Sequence, residues 1–158
     1  MTTGTQKITP FLWFDKEAGE AARFYTSLFP NSKMLSPESF SDTPSGTVDI
    51  YSIDLSGQQF TLMNAGPVFK FNEAISFVID CIDQEEVDYY WDRLTADGGE
   101  ESMCGWLKDK FGVSWQVVPR RFNELVSDDD QEKAGRVMQA MLKMKKLDIA
   151  ALENAYDG

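Results

Sequence analysis

The sequence predicts an α+β fold in which two βαβββ modules pair into one curved mixed sheet, with helices outside and C-terminal helices added. Three observations point there. An apolar strand, an amphipathic helix and three further strands occur in that order twice, at an offset of about 65 residues. Pro10-Phe11-Leu12-Trp13-Phe14 corresponds to Ile75-Ser76-Phe77-Val78-Ile79, and Phe24-Tyr25 with Leu28 to Tyr90-Trp91 with Leu94. After Pro119 the strand pattern stops and helical spacing takes over. At 158 residues, 42% of them apolar, the chain suits one domain with a shared core. Its parts are module one at about 7–64, a linker at 65–73, module two at about 74–119 and helices at 120–158.

Ile8–Phe14 is apolar nearly throughout and is expected as a buried strand. Asp15 suits a helix N-cap, and Ala21, Phe24, Tyr25 and Leu28 share one face of a helix over Ala18–Phe29. Pro30-Asn31 stops it. Ser32–Phe40 is a weaker strand and Ser41–Gly46 a polar, mobile loop. In Val48–Leu55, Val48 and Ile50 alternate with Asp49 and Tyr51, and Gly57 turns the chain into Gln58–Asn64 as a hairpin.

Ala65–Asn72 contains Gly66-Pro67 and is expected as a linker. Ala74–Cys81 is the next apolar strand. Asp83 and Glu86 have capping-box spacing ahead of a helix whose buried face holds Val87, Tyr90, Trp91 and Leu94; Gly98-Gly99 ends it. Glu100–Cys104 follows. Then Gly105–Lys108 and Val113–Val118 flank Asp109-Lys110-Phe111-Gly112, a tight connection in which Gly112 takes the positive φ. In the second run Ser114, Gln116 and Val118 face one way, Trp115 and Val117 the other. Asn123–Asp130 is acidic and turn-like. Asp128-Asp129-Asp130 caps a helix over Glu132–Lys143, whose stripe of Val137, Met138, Met141 and Leu142 suits core or dimer packing. Asp148 caps a last short helix with Ile149 and Leu152.

Composition narrows the function classes. A net charge of −11 without a basic run argues against nucleic acid as partner. No run of about eighteen apolar residues and no apolar stretch behind the polar first residues is found, so a soluble, cytoplasmic protein without membrane contact is expected. Cys81 and Cys104 form no CxxC and are expected reduced. There is no histidine, which removes Ser–His and Cys–His nucleophiles and every imidazole metal site.

TPFLWFDKEAGEAARFYTSLFP, FKFNEAISFVID, CGWLKDKFGVSWQVVP and VMQAMLKMKKLDIAALENA resemble the PhnB-like branch of the vicinal oxygen chelate superfamily, which includes glyoxalases, bleomycin resistance proteins and extradiol dioxygenases. That branch is often labelled 3-demethylubiquinone-9 3-methyltransferase. The resemblance runs from about residue 7 to the C-terminus and implies paired βαβββ modules. It also implies four cavity-facing positions where catalytic relatives hold a divalent metal. These align with Thr9, Ala74, Gln116 and a residue near Thr61 or Met63. That set makes no metal site, since it offers one neutral amide oxygen as its only plausible ligand. The methyltransferase label finds no Gly-rich turn after the first strand for S-adenosylmethionine. No metal and no cofactor is therefore expected.

The alternation places Phe11 and Trp13 on one face with Thr9, Ser76 and Val78 on a second strand, and Ser114 and Gln116 on a third. Met63, Trp106 and Lys108 complete a ligand cavity as rim or wall. The function expected is binding of a small apolar or aromatic molecule there. Two alternatives stay open: a metal-independent enzyme using Lys108, Asp109 and Gln116, and a dimeric interaction protein without a ligand. A homodimer is the expected assembly.

Overall fold

Strand β1 (Phe11–Phe14) buries Leu12 and Phe14, leaves Phe11 exposed and half-buries Trp13. Each β1 side chain has therefore already chosen between a helix-covered face and an open one. In the computed structural model of this chain, residues 5–158 are described, in two units: one ends at Phe71 and the other is Asn72–Gly158. Ile8 and Thr9, expected at the start of β1, are exposed and lie before it.

In the first unit β1 is followed by α1 (Ala18–Leu28), β2 (Lys33–Met34), β3 (Glu38–Thr43), β4 (Gly46–Leu55) and β5 (Gln58–Asn64). The sheet order is β1-β5-β4-β2, with β3 also pairing β4; β1 is parallel to β5 and the other pairs are antiparallel. Helix α1 buries Ala18, Ala21, Ala22, Tyr25 and Leu28 as it packs on β4 and β5, where Ile53, Phe60 and Leu62 are buried. Small residues bring the helix close: a Cβ on Gly19 would stand 2.9 Å from the Tyr51 hydroxyl. Asp15 does not cap this helix. The Ala18 N–H instead donates to Asn64 Oδ1 at 2.7 Å, so the end of β5 supplies the cap.

The stretch 32–46 corrects the expectation. The strand expected over Ser32–Phe40 is split into the two-residue β2 and the first half of β3, and the polar Ser41–Gly46, expected as a loop, carries β3 on to Thr43 and turns directly into β4. Glu38, Ser39 and Phe40 pair with Ile50, Asp49 and Val48, and the register shifts between Phe40 and Thr43, where Asp42 takes φ 60°. Thr43 Oγ1 donates to the Gly46 carbonyl at 2.6 Å and closes the turn. This pairing is made by backbone, to which side-chain polarity is a poor guide.

The second unit repeats the topology with β6 (Phe77–Cys81), α2 (Gln84–Thr95), a 3-10 turn at Ala96–Gly98, β7 (Glu100–Glu101), β8 (Trp106–Lys108) and β9 (Ser114–Pro119). Its order is β6-β9-β8-β7, with β6 parallel to β9. In both sheets the opening strand lies beside the closing one, which is the repeat read from the sequence. Asp83 Oδ1 accepts from the Glu86 N–H at 2.9 Å and Glu86 Oε2 accepts from the Ile82 N–H at 2.8 Å, a reciprocal cap. Val87, Tyr90, Trp91 and Leu94 are buried, as the helical spacing predicts.

The β8–β9 connection is built on Asp109, which is 2% exposed. Its Oδ1 accepts from the Phe111 and Val113 amides at 2.9 and 3.0 Å, and its Oδ2 from Trp115 Nε1 at 2.9 Å. Gly112, at φ 89°, donates to the Asp109 carbonyl.

Beyond β9, α3 (Arg120–Val126) runs into Asn123–Asp130, expected as turn-like, and is held by the buried Leu125. Helix α4 (Gln131–Met141) is capped by Asp130 and α5 (Ile149–Asp157) by Asp148. Leu125, Val137, Met141, Leu147 and Leu152 form their common core. Met141 is therefore internal, while Met138 and Leu142 of the same stripe stay exposed. The Met144 and Lys145 carbonyls accept the Cys104 and Gly105 amides at 2.7 and 2.8 Å, and the Gln84 amide bridges Leu147 and Ile149. Among the described residues no helix is long and apolar enough to cross a membrane.

Candidate functional site

The open face of the first sheet carries an apolar ladder. Trp13 pairs with Met63 and Met63 with Ile50, while Phe40 pairs with Val48 one row on. The Thr43-Pro44-Ser45 turn lies beside these rows and Ala65 at their end, bordering a shallow, open cleft of about 400 Å³. Trp13 is fixed in it: Nε1 donates to the Gly66 carbonyl at 2.8 Å and the ring meets Phe69 edge-on at 4.9 Å. The segment expected as a linker thus packs back onto its own unit, with Phe71 also edge-on to Phe14. Of the residues expected to line a cavity, Trp13 and Met63 meet here. Thr9 and Phe11 do not line this cleft; Phe11 shares its face but is 56% exposed. Phe40, Val48 and Ile50 join them in the lining; the alternation of Val48 and Ile50 is visible in the sequence, whereas the approach of Phe40 depends on the β3–β4 pairing.

In the second unit Val78 pairs with Gln116, Gln116 with Trp106, and Ser114 with Lys108, so these side chains share the face turned away from α2. Gln116 Nε2 donates to Ser76 Oγ at 2.9 Å, and Val78 is exposed. Lys108 forms an ion pair with Glu73. Their mutual hydrogen bond pushes the Lys108 ammonium up and holds the Glu73 carboxyl below the usual carboxylate range. Each is driven away from neutrality, the opposite of what proton transfer at neutral pH needs. Asp109 is occupied by three donors on the helix side of the sheet, which makes it a turn anchor rather than an acid or base.

The positions aligned with metal ligands do not fit a divalent cation. Ala74 has no donor, Thr9 and Met63 offer a hydroxyl and a thioether, and the Gln116 amide is oriented by Ser76. Among the described residues no group of three or more His, Cys, Asp or Glu converges elsewhere. The turn after β1 has no glycine and the first amide of α1 is taken by Asn64, so a Gly-rich S-adenosylmethionine turn does not fit there either.

The family model of 3-demethylubiquinone-9 3-methyltransferase matches residues 6–118, both βαβββ units almost entirely. The chain belongs to this PhnB-like family. A PhnB protein from Bacillus cereus, described as a putative 3-demethylubiquinone-9 3-methyltransferase, is 33% identical, with 72% of this chain and 99% of that one covered and a TM-score of 0.64. A protein from Pseudomonas aeruginosa is 20% identical over 73% of this chain and 98% of its own, at a TM-score of 0.58. The fosfomycin resistance protein FosX from Listeria monocytogenes shares the fold at 19% identity, 78% and 97% coverage and a TM-score of 0.52. The PhnB-like chain thus has the vicinal oxygen chelate fold. Helices α3–α5 lie past residue 118, so the resemblance read to the C-terminus is matched by the family model only as far as β9. No curated protein matches the sequence.

Proposed function

We propose that this PhnB-like protein binds a small apolar or aromatic molecule on the open face of its first sheet, without a divalent metal. The cleft of about 400 Å³ floored by Trp13, Met63 and Ile50 supports this reading. Its size suits a small ligand, its walls are almost wholly apolar, and the Ser45 hydroxyl at its rim can orient a polar substituent, Thr43 Oγ1 being engaged within the turn. A methyl-transfer or acid–base role has less support, because Glu73 and Lys108 are each held in the charged form. A homodimer belongs to the same proposal and rests on the exposed Met138 and Leu142 of α4.

Saturation-transfer NMR with neutral aromatic fragments tests the binding. The expected result is saturable binding by wild type that is lost in Ile50→Glu while the far-UV spectrum is unchanged. If no neutral aromatic binds the wild type, the reading is wrong.

A further inference from the structure

We propose that the cleft of the first unit selects a cationic ligand, an aromatic ring with a short alkylammonium arm, and that Glu38 is the residue that reads its charge. This rests on the cleft being the binding site. It adds what an apolar lining leaves undetermined, the charge at the ligand's polar end.

The floor of the cleft is a row across three strands: Trp13 on β1, Met63 on β5 and Ile50 on β4. The row continues one strand further. Ile50 pairs with Glu38 on β3, and directly opposite residues of an antiparallel pair share a face. Two neighbours fix which face that is. Ser39 Oγ donates to Asp49 Oδ1 at 2.6 Å on the opposite face, while Phe40, two positions from Glu38, lines the cleft. Glu38 is thus a carboxylate at the open end of an otherwise apolar row.

Its charge is available to a ligand. Glu38 is exposed, and no hydrogen bond or ion pair holds its carboxylate among the described residues. Lys33 and Asp54 share the face of Ile50, but they lie opposite each other, four residues further along β4. Neighbouring strands are about 4.8 Å apart, so the midpoint of Met63 and Ile50 is about 7 Å from the Glu38 position, and a two-carbon arm on a ring resting there reaches it. An anionic arm meets repulsion, and a neutral arm gains nothing from the charge. Because the carboxylate is exposed, the gain for an ammonium is modest, about three- to fivefold in affinity.

The probes are 2-phenylethylammonium, 2-phenylethanol and 3-phenylpropionate, which share a ring and a two-carbon arm and differ in charge. Each is titrated into the full-length ¹⁵N-labelled protein at neutral pH and constant ionic strength. The expected result is saturable shifts at the Glu38, Ile50 and Met63 amides, with the ammonium binding about three- to fivefold tighter than the alcohol and the carboxylate weakest. In Glu38→Gln the ammonium should fall to the level of the alcohol, whose own affinity is unchanged. Asp129→Asn, at an exposed position of the second unit, removes the same single charge from the total of −11 and should leave the preference in place. Equal affinity for ammonium and alcohol in wild type, or a preference that survives Glu38→Gln, overturns the proposal and leaves binding in the cleft standing. Failure of all three probes to bind overturns both.

Discussion

Replacing Asp109 by Ala removes the acceptor of three hydrogen bonds at once, and the structure sets the size of the loss. Each bond to an ionised carboxylate contributes roughly 1.5–3 kcal/mol. The Phe111 amide is only part-buried and can turn to water, whereas the Val113 amide and the indole N–H of Trp115 are buried and cannot. The expected destabilisation is therefore about 3–5 kcal/mol, near the top of what single substitutions do. Trp115→Phe loses the indole donor together with ring volume, and a double-mutant cycle with Asp109→Ala cancels the volume part. The coupling left should be about 1.5–2 kcal/mol. Urea unfolding followed by far-UV circular dichroism measures it, because four tryptophans would confuse fluorescence. Asp109→Asn keeps the shape but has one oxygen where two accept; with its oxygen towards the Phe111 and Val113 amides its NH2 faces the Trp115 indole N–H, donor against donor, so its loss should approach that of Asp109→Ala. An Asp109→Ala loss under about 1 kcal/mol, or a coupling near zero, refutes the turn-anchor account and returns Asp109 to the acid–base candidates.

Three further outcomes are expected. Trp13→Ala should lose about 2 kcal/mol, from its hydrogen bond to Gly66 and its contact with Phe69, against roughly 3–5 for the buried Trp115→Ala; equal losses in urea unfolding would show that the cleft is packed shut. Met141→Glu should unfold the α3–α5 core by several kcal/mol, whereas Leu142→Glu should fold normally and, if α4 carries the dimer, halve the mass seen in sedimentation; an unchanged mass would remove α4 from the interface. Burial, aided by the charges of Glu86, Asp80 and Asp83, pushes the Cys81 thiol up to about 12, so disulfide-exchange reagents at pH 8 should label Cys104 and reach Cys81 only after unfolding. The linked stability is fully present below the ordinary thiol value of 9.0 and is lost as pH rises from there towards 12, because the unfolded thiol ionises first; a Cys81 labelled as fast as Cys104 would contradict this.

Helix α2 was legible because capping and apolar spacing agreed, from Asp83 and Glu86 to Leu94. The topology was legible because it occurs twice. Strand β3 was legible only in its first half, within the weak strand expected over Ser32–Phe40; Ser41 and Asp42 look like a loop until β4 supplies the backbone partners that extend the strand. Helix α3 was hidden for a related reason: Leu125 alone is fully buried in it, so a polar composition says little. At the site, alternation found Trp13 and Met63 but could not find Phe40, whose approach to Val48 depends on the register shift beside Asp42. A charged residue in a turn suggests solvent, and nothing local announces that Trp115, six positions on, will draw Asp109 inside. Alternation puts Ser114 on the face of Gln116, but that its hydroxyl finds no partner among the described residues is a property of packing.

The bonds from Met144 and Lys145 back to Cys104 and Gly105 set an order on the ribosome. The first unit finds every strand partner by Asn64 and can close while the rest of the chain is still being made. The second cannot. The turn ahead of β8 keeps two amides unpaired until a segment some forty residues downstream emerges, a wait of roughly 2–8 seconds at ordinary elongation rates. During that interval β8 and β9 have both been synthesised but lack their brace, so a chaperone that binds the nascent chain should meet the second unit and not the first.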